Sequence, residues 1–140
     1  MSDRVFLDTN LWVYCFAKDP RDKAEKITDV VNAQLPFLII STQVLGELYN
    51  VLTRKRIFSN IEAQSIVSGL TYRTLVVEID TSKVLQAMEI NIRYKYSYWD
   101  SLIIATALQS DCCILYSEDM QHDQLIEGKL RIINPFVTEV

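Results

Sequence analysis

Apolar residues fall along this chain in two alternating textures. There are short unbroken runs, and longer stretches in which apolar positions recur every three or four residues. Val5-Phe6-Leu7 is a run of the first kind, β-prone and ending at Asp8-Thr9-Asn10, which suit a turn or a helix cap; an apolar, helix-length segment follows. Residues 21–35 carry Ala24, Ile27, Val30 and Val31 at helical spacing among charges, which predicts a surface helix ending near Pro36. Phe37-Leu38-Ile39-Ile40 is again continuous, as in a strand covered on both faces. Helices are expected from Ser41-Thr42 to about Lys55 and over 60–70. A strand is expected at Leu75–Ile79, and a helix capped by Asp80 runs on to about Tyr94. YSYWDSLIIATALQ reads as a further helix, with strands at Cys113–Tyr116 and Leu130–Ile133.

Strand and helix alternate throughout, and parallel strands need crossover connections. The expected fold is therefore α/β, one domain over residues 1–140, with a mostly parallel sheet of about five strands and helices on both faces. In such sheets ligands sit beyond the carboxyl ends of the strands. Composition excludes other classes: 49% hydrophobic residues with 3 Gly and 3 Pro is globular rather than disordered or fibrous. Leu11–Ala17 is too short to span a bilayer and no basic leader precedes it, so no membrane role and a cytoplasmic location are expected. Cys15, Cys112 and Cys113 form no Cys-x-x-Cys pair and read as packing residues. A net charge of −4 argues against a broad basic surface for a polyanion, and Arg54-Lys55-Arg56 reads as a solvated helix end.

Four acids break the apolar pattern at telling places. Asp8 sits just past the first strand, and Ser117-Glu118-Asp119 just past the strand at 113–116, so these acids share a rim of the sheet. In TQVLGELYNVL, Glu47 lies about 40° from Val51 and about 60° from Val44 around the helix, at the edge of the apolar face and partly buried. Asp100 heads the stripe of Ile103, Ile104 and Ala107. Each acid has an ordinary alternative: Asp8 and Asp119 as caps of a following helix, Glu47 reaching out to solvent, and Ser97-x-x-Asp100 as a capping box. Together they call for more. Two unit charges about 4 Å apart repel by about 4 kcal/mol at an effective dielectric near 20, so clustered carboxylates need protons or a cation. All-oxygen sites suit Mg²⁺ or Mn²⁺, which polarise phosphodiesters and activate water.

With these residues located, VFLDTNLWVY, STQVLGELYNVL, YSYWDSLIIATAL and LYSEDM, in this order from Val5 to about Phe136, resemble a PIN-domain ribonuclease, in the VapC-like toxin branch of toxin–antitoxin pairs. The resemblance implies a Mg²⁺- or Mn²⁺-dependent endoribonuclease with Asp8, Glu47, Asp100 and Asp119 as catalytic metal ligands. Asn10 and Ser117 would support them through hydrogen bonds, and Asp123 is a possible further contributor. Asp119 is preferred to Glu118 because the family pattern is Thr or Ser, any residue, then Asp or Asn; Glu118 would be a solvated neighbour. His122 is read as a surface residue rather than a general base, since a metal-activated water would supply the nucleophile. The resemblance further implies an RNA substrate, a homodimer and a small antitoxin that blocks the cleft. Two other readings compete: a haloacid-dehalogenase-like phosphohydrolase with Asp8 as nucleophile, although Asn10 stands where that chemistry wants a second acid, and a non-catalytic protein-interaction module.

Overall fold

The computed structural model describes residues 3–137. Strand β1 (Val5–Leu7) leads into helix α1 (Thr9–Ala17) and then α2 (Arg21–Gln34). A 3-10 turn at Leu35–Phe37 precedes β2 (Leu38–Ser41), α3 (Thr42–Arg54), α4 (Asn60–Arg73) and β3 (Leu75–Val77). The chain continues through α5 (Thr81–Tyr94), α6 (Tyr98–Gln109), β4 (Ile114–Tyr116), β5 (Leu125–Ile126) and β6 (Leu130–Ile133). Every expected helix is present. Strand β2 starts one residue later than the apolar run suggested, because Pro36 draws Phe37 into the 3-10 turn.

The sheet has six strands in the order β3-β2-β1-β4-β6-β5, parallel except for the β5–β6 pair. The expected five become six because β5 is a two-residue antiparallel strand, too short to leave a periodic signal. From β1 the chain winds one way to β2 and β3, and β4 then lies on β1's other side. The order therefore reverses between β1 and β4, and a crevice opens where their carboxyl ends diverge. Asp8 and Ser117 stand at those ends, still tied across the ladder by the Asp8 N–H donating to the Tyr116 carbonyl at 2.9 Å.

The inner strands β1 and β2 are buried at every position, as their unbroken apolar runs require. The expected one-sided stripe on α6 is an underestimate. Ser101 through Ala107 are all buried: Ile103, Ile104 and Ala107 join the main core, while Leu102 and Ala105 pack on Ala87 of α5. Each fully buried isoleucine is worth about 1.5–3 kcal/mol, so α6 is held rigidly, and Asp100 in its first turn with it. Cys112 is buried and all three cysteines are free, in keeping with packing roles. Among the described residues no helix is long and apolar enough to cross a membrane.

Candidate active site

The carboxyl ends of β1 and β4, the start of α1, the face of α3 from Glu47 to Arg54 and the first half of α6 surround one cavity of about 300 Å³. Asp8, Glu47, Asp100 and Asp119 all line it, with Thr9, Asn10, Asn50, Val51, Arg54 and Ile103. The cavity grades from a dry floor to a wet mouth. Asp8 is only 7% exposed. Glu47 and Asp100 are half-buried, whereas Asp119, Asn10, Asn50 and Arg54 are exposed.

Asp8 is fixed from two sides. It is the N-cap of α1, one carboxylate oxygen accepting from the Thr9 N–H at 2.7 Å, and its other oxygen accepts from the Ser117 hydroxyl at 2.9 Å. Ser117 is fully buried and also accepts from the Met120 N–H at 3.3 Å, so it orients both Asp8 and the loop carrying Asp119. Asn10, two residues into the same segment, donates from its side-chain amide to Asp119 at 2.9 Å. The Thr9 hydroxyl donates to Glu47 at 3.1 Å. Three consecutive residues, Asp8, Thr9 and Asn10, thus touch the loop after β4, helix α3 and Asp119.

The carboxylates are charged at a cost. Burial pushes the Asp8 carboxyl up to about 6; the bonds from Ser117 and Thr9 work against this, and the Asp100 and Glu47 charges add to it. Glu47 is raised by burial and then by Asp100, with the Thr9 hydroxyl partly offsetting. Asp100 is raised by burial and then by Asp119. Asp100 is the hub, acting on Asp8 and Glu47 and feeling Asp119. Its capping role also exists, since the Ser97 hydroxyl accepts from the Asp100 N–H at 3.1 Å while the Asp100 carboxylate lines the cavity. In α4, by contrast, both halves of a capping box close between Ser59 and Glu62.

Glu118 is not a solvated neighbour. Its carboxylate points away from the cavity, accepts from the Tyr14 hydroxyl and pairs with the Lys23 ammonium. That ammonium lies 5.3 Å from the Tyr14 ring centre and 5.1 Å from that of Phe136. Burial would raise the Glu118 carboxyl, but Lys23 and Tyr14 outweigh it and lower it overall. Asp123 is not brought to the cavity; its exposed carboxylate accepts from Arg131 at 3.1 Å. His122 accepts from the Asn134 N–H at 3.0 Å and tethers the loop after β4.

Thr9, Asn50 and Arg54 were not singled out as site residues by sequence reasoning. A signal existed for the last two, which follow Glu47 by three and seven residues on α3 and so share its face. Among the described residues no three His, Cys, Asp or Glu side chains form a ready-made metal-ligating group. The four acids ring the cavity rather than converging on one point.

Residues 5–127 match the family model described as PIN domain. A search of curated protein sequences gave no significant match. Among solved structures the chain is similar to VapC20 of Mycobacterium tuberculosis, described as a sarcin-ricin loop cleaving toxin, with a TM-score of 0.68 at 20% identity over 82% of this chain and 89% of that one. It is similar to a chain of a toxin-antitoxin complex from Klebsiella pneumoniae, with a TM-score of 0.72 at 17% identity over 94% and 98% of the two chains. A chain of DNA-bound VapBC from Salmonella typhimurium gives a TM-score of 0.70 at 22% identity over 94% and 97%.

Proposed function

This chain belongs to the PIN domain family, and from that premise we propose that it is a divalent-metal-dependent endoribonuclease of the VapC toxin kind, acting in the cytoplasm. One observation carries the reading: four carboxylates from four separate elements line one cavity, and burial followed by neighbouring negative charge raises the proton affinity of Asp8, Glu47 and Asp100. Such an arrangement is unfavourable unless a cation occupies it.

The donor set fits Mg²⁺ or Mn²⁺. All four side chains are hard oxygen donors, and Mg²⁺ keeps several waters while binding through one or two carboxylates, so acids spaced around a cavity suit it better than a tight cage would. Asp8, Glu47, Asp100 and Asp119 would hold the ion. When bound, it would polarise the scissile phosphodiester and lower the pKa of the attacking water. The chain's own residues do the positioning. Ser117 and the Thr9 N–H fix the Asp8 carboxylate, the Thr9 hydroxyl orients Glu47, and Asn10 holds Asp119 at the mouth. The dry floor keeps Asp8 poorly screened, which strengthens its pull on a cation.

The dehalogenase-like alternative has little to work with, because the Asn10 amide is already engaged by Asp119 where an acid would be required. A cognate antitoxin is supported by the toxin-antitoxin complex among the structural neighbours. Homodimerisation is supported by Leu85, Met88 and Ile92, an exposed apolar stripe along α5. Leu85→Glu with Ile92→Glu should then shift the protein to monomer in light scattering.

The deciding experiment uses protein freed of any bound inhibitor. RNA should be cleaved in Mg²⁺ or Mn²⁺ and left intact in EDTA; equal cleavage in EDTA would sink the reading.

A further inference from the structure

We infer that Arg54 is the substrate-binding cation of this site and grips the RNA phosphate that flanks the scissile one. The inference rests on the nuclease reading above.

Arg54 is the one cation among the residues lining a cavity that also holds four acids. It nevertheless pairs with none of them. Among the described residues, Arg21, Lys23, Lys83, Arg93 and Arg131 form ion pairs with acids outside the cavity. Glu47 accepts from the Thr9 hydroxyl and Asp119 from the Asn10 amide, and neither these acids nor Asp8 or Asp100 takes a hydrogen bond or ion pair from Arg54. The guanidinium fork is therefore left open at the mouth. Its planar donors match two oxygens of one phosphate, a geometry that a lysine cannot reproduce.

Position decides which phosphate. Of the acids that would hold the ion, Asp8 is 7% exposed at the floor and Glu47 and Asp100 are half-buried, so the scissile group would be held below the rim. Arg54 is exposed at the rim, two helical turns beyond Glu47. Helical side chains lean toward the N-terminus, which carries the fork back over Asn50 to the mouth rather than to the floor. A chain of net charge −4 has no general field to draw RNA in, so a single well-placed cation matters more here than on a basic protein. The ordinary explanation, a cation offsetting the C-terminal dipole of α3, applies equally to Lys55 and Arg56. Neither of those lines the cavity, and they serve as internal controls.

The test measures binding of a fluorescein-labelled single-stranded oligoribonucleotide to Asp100→Asn protein, and cleavage by otherwise unmodified protein. Arg54→Gln should weaken binding about tenfold and flatten the slope of log affinity against log salt by about 0.7, the value for one phosphate contact on a single strand. It should raise KM by a similar factor with kcat within about twofold, and Arg54→Lys should recover only part of the loss. Mn²⁺ affinity measured by titration calorimetry should hold or tighten, because a nearby positive charge is removed. Binding and KM unchanged in Arg54→Gln, an equal loss in Lys55→Gln, or a fall in kcat at constant KM would each overturn the inference. A protein that binds RNA through Arg54 yet never cleaves it would instead overturn the nuclease reading alone.

Discussion

Glu118 and Asp119 are neighbours in sequence and opposites in circumstance. Glu118 turns outward to a hydroxyl and an ammonium, so its negative charge is welcomed and its carboxyl is lowered. Asp119 turns inward, to a cavity where burial, and after it neighbouring negative charge, raises the carboxyls of Asp8, Glu47 and Asp100. Helix α1 holds both. Asn10 grips Asp119, and Tyr14, one turn on along the same face, grips Glu118. A fold can satisfy a carboxylate when stability is all that is required of it. The cavity acids are left short of positive charge, as expected where a ligand is to supply it.

The largest test of this contrast is catalytic. Asp8→Asn and Asp100→Asn should each lower RNA cleavage by about three orders of magnitude, on the scale of removing a charged transition-state stabiliser, while Tyr14→Phe should leave most of the activity. Retained cleavage in Asp100→Asn would put both groups of acids on one footing. Next in size is the response to metal. Mn²⁺ at about a hundred times its dissociation constant should add about 2.7 kcal/mol to the unfolding free energy, and Asp100→Asn should blunt that gain. An unchanged melting temperature in Mn²⁺ would count against the cavity as a cation site.

The two groups should also respond to pH with opposite sign. In EDTA, folded Asp8 holds its proton up to about pH 6, whereas the unfolded chain releases it near the ordinary value of 3.8. The folded state then binds the extra proton, and stability should fall as pH rises from about 4 to about 6, by on the order of 2–3 kcal/mol. Glu118 works the other way, its contribution being present above its unfolded value of 4.5 and lost as pH falls through its lowered one. Urea melts of Asp8→Asn should lack the first limb, and those of Glu118→Gln the second. The smallest effect is structural: Tyr14→Phe should cost about 1 kcal/mol and leave the Mn²⁺ response unchanged.

The sequence made the cavity acids legible because each interrupts an apolar pattern at a strand end or beside a buried face. Which of Glu118 and Asp119 faces inward was not decided by pattern, since consecutive residues in a loop have no fixed period; the family resemblance favoured Asp119, and the structure turns that residue to the cavity. Arg54 was hidden by Lys55 and Arg56, which gave it the look of a solvated helix end. Thr9 was overlooked because it reads as a turn residue, and its partner Glu47 is distant in sequence. In α6 the stripe of Ile103, Ile104 and Ala107 is only part of the signal: Leu102, Ala105 and Leu108 make the helix apolar all round, the pattern of a helix covered on every side, and α5 supplies the second cover. The sheet was read nearly whole because parallel strands buried on both faces are continuous apolar runs; β5 escaped because two antiparallel residues carry no such signature.

The flanks of that sheet have a consequence for handling the protein. The outermost strands are β3, with three residues, and β5, with two. Unpaired backbone at a sheet margin templates extension by another chain, and short edge strands offer little of it. A concentrated sample should therefore resist fibril growth through lateral sheet addition, and any association it shows should run through side-chain faces instead.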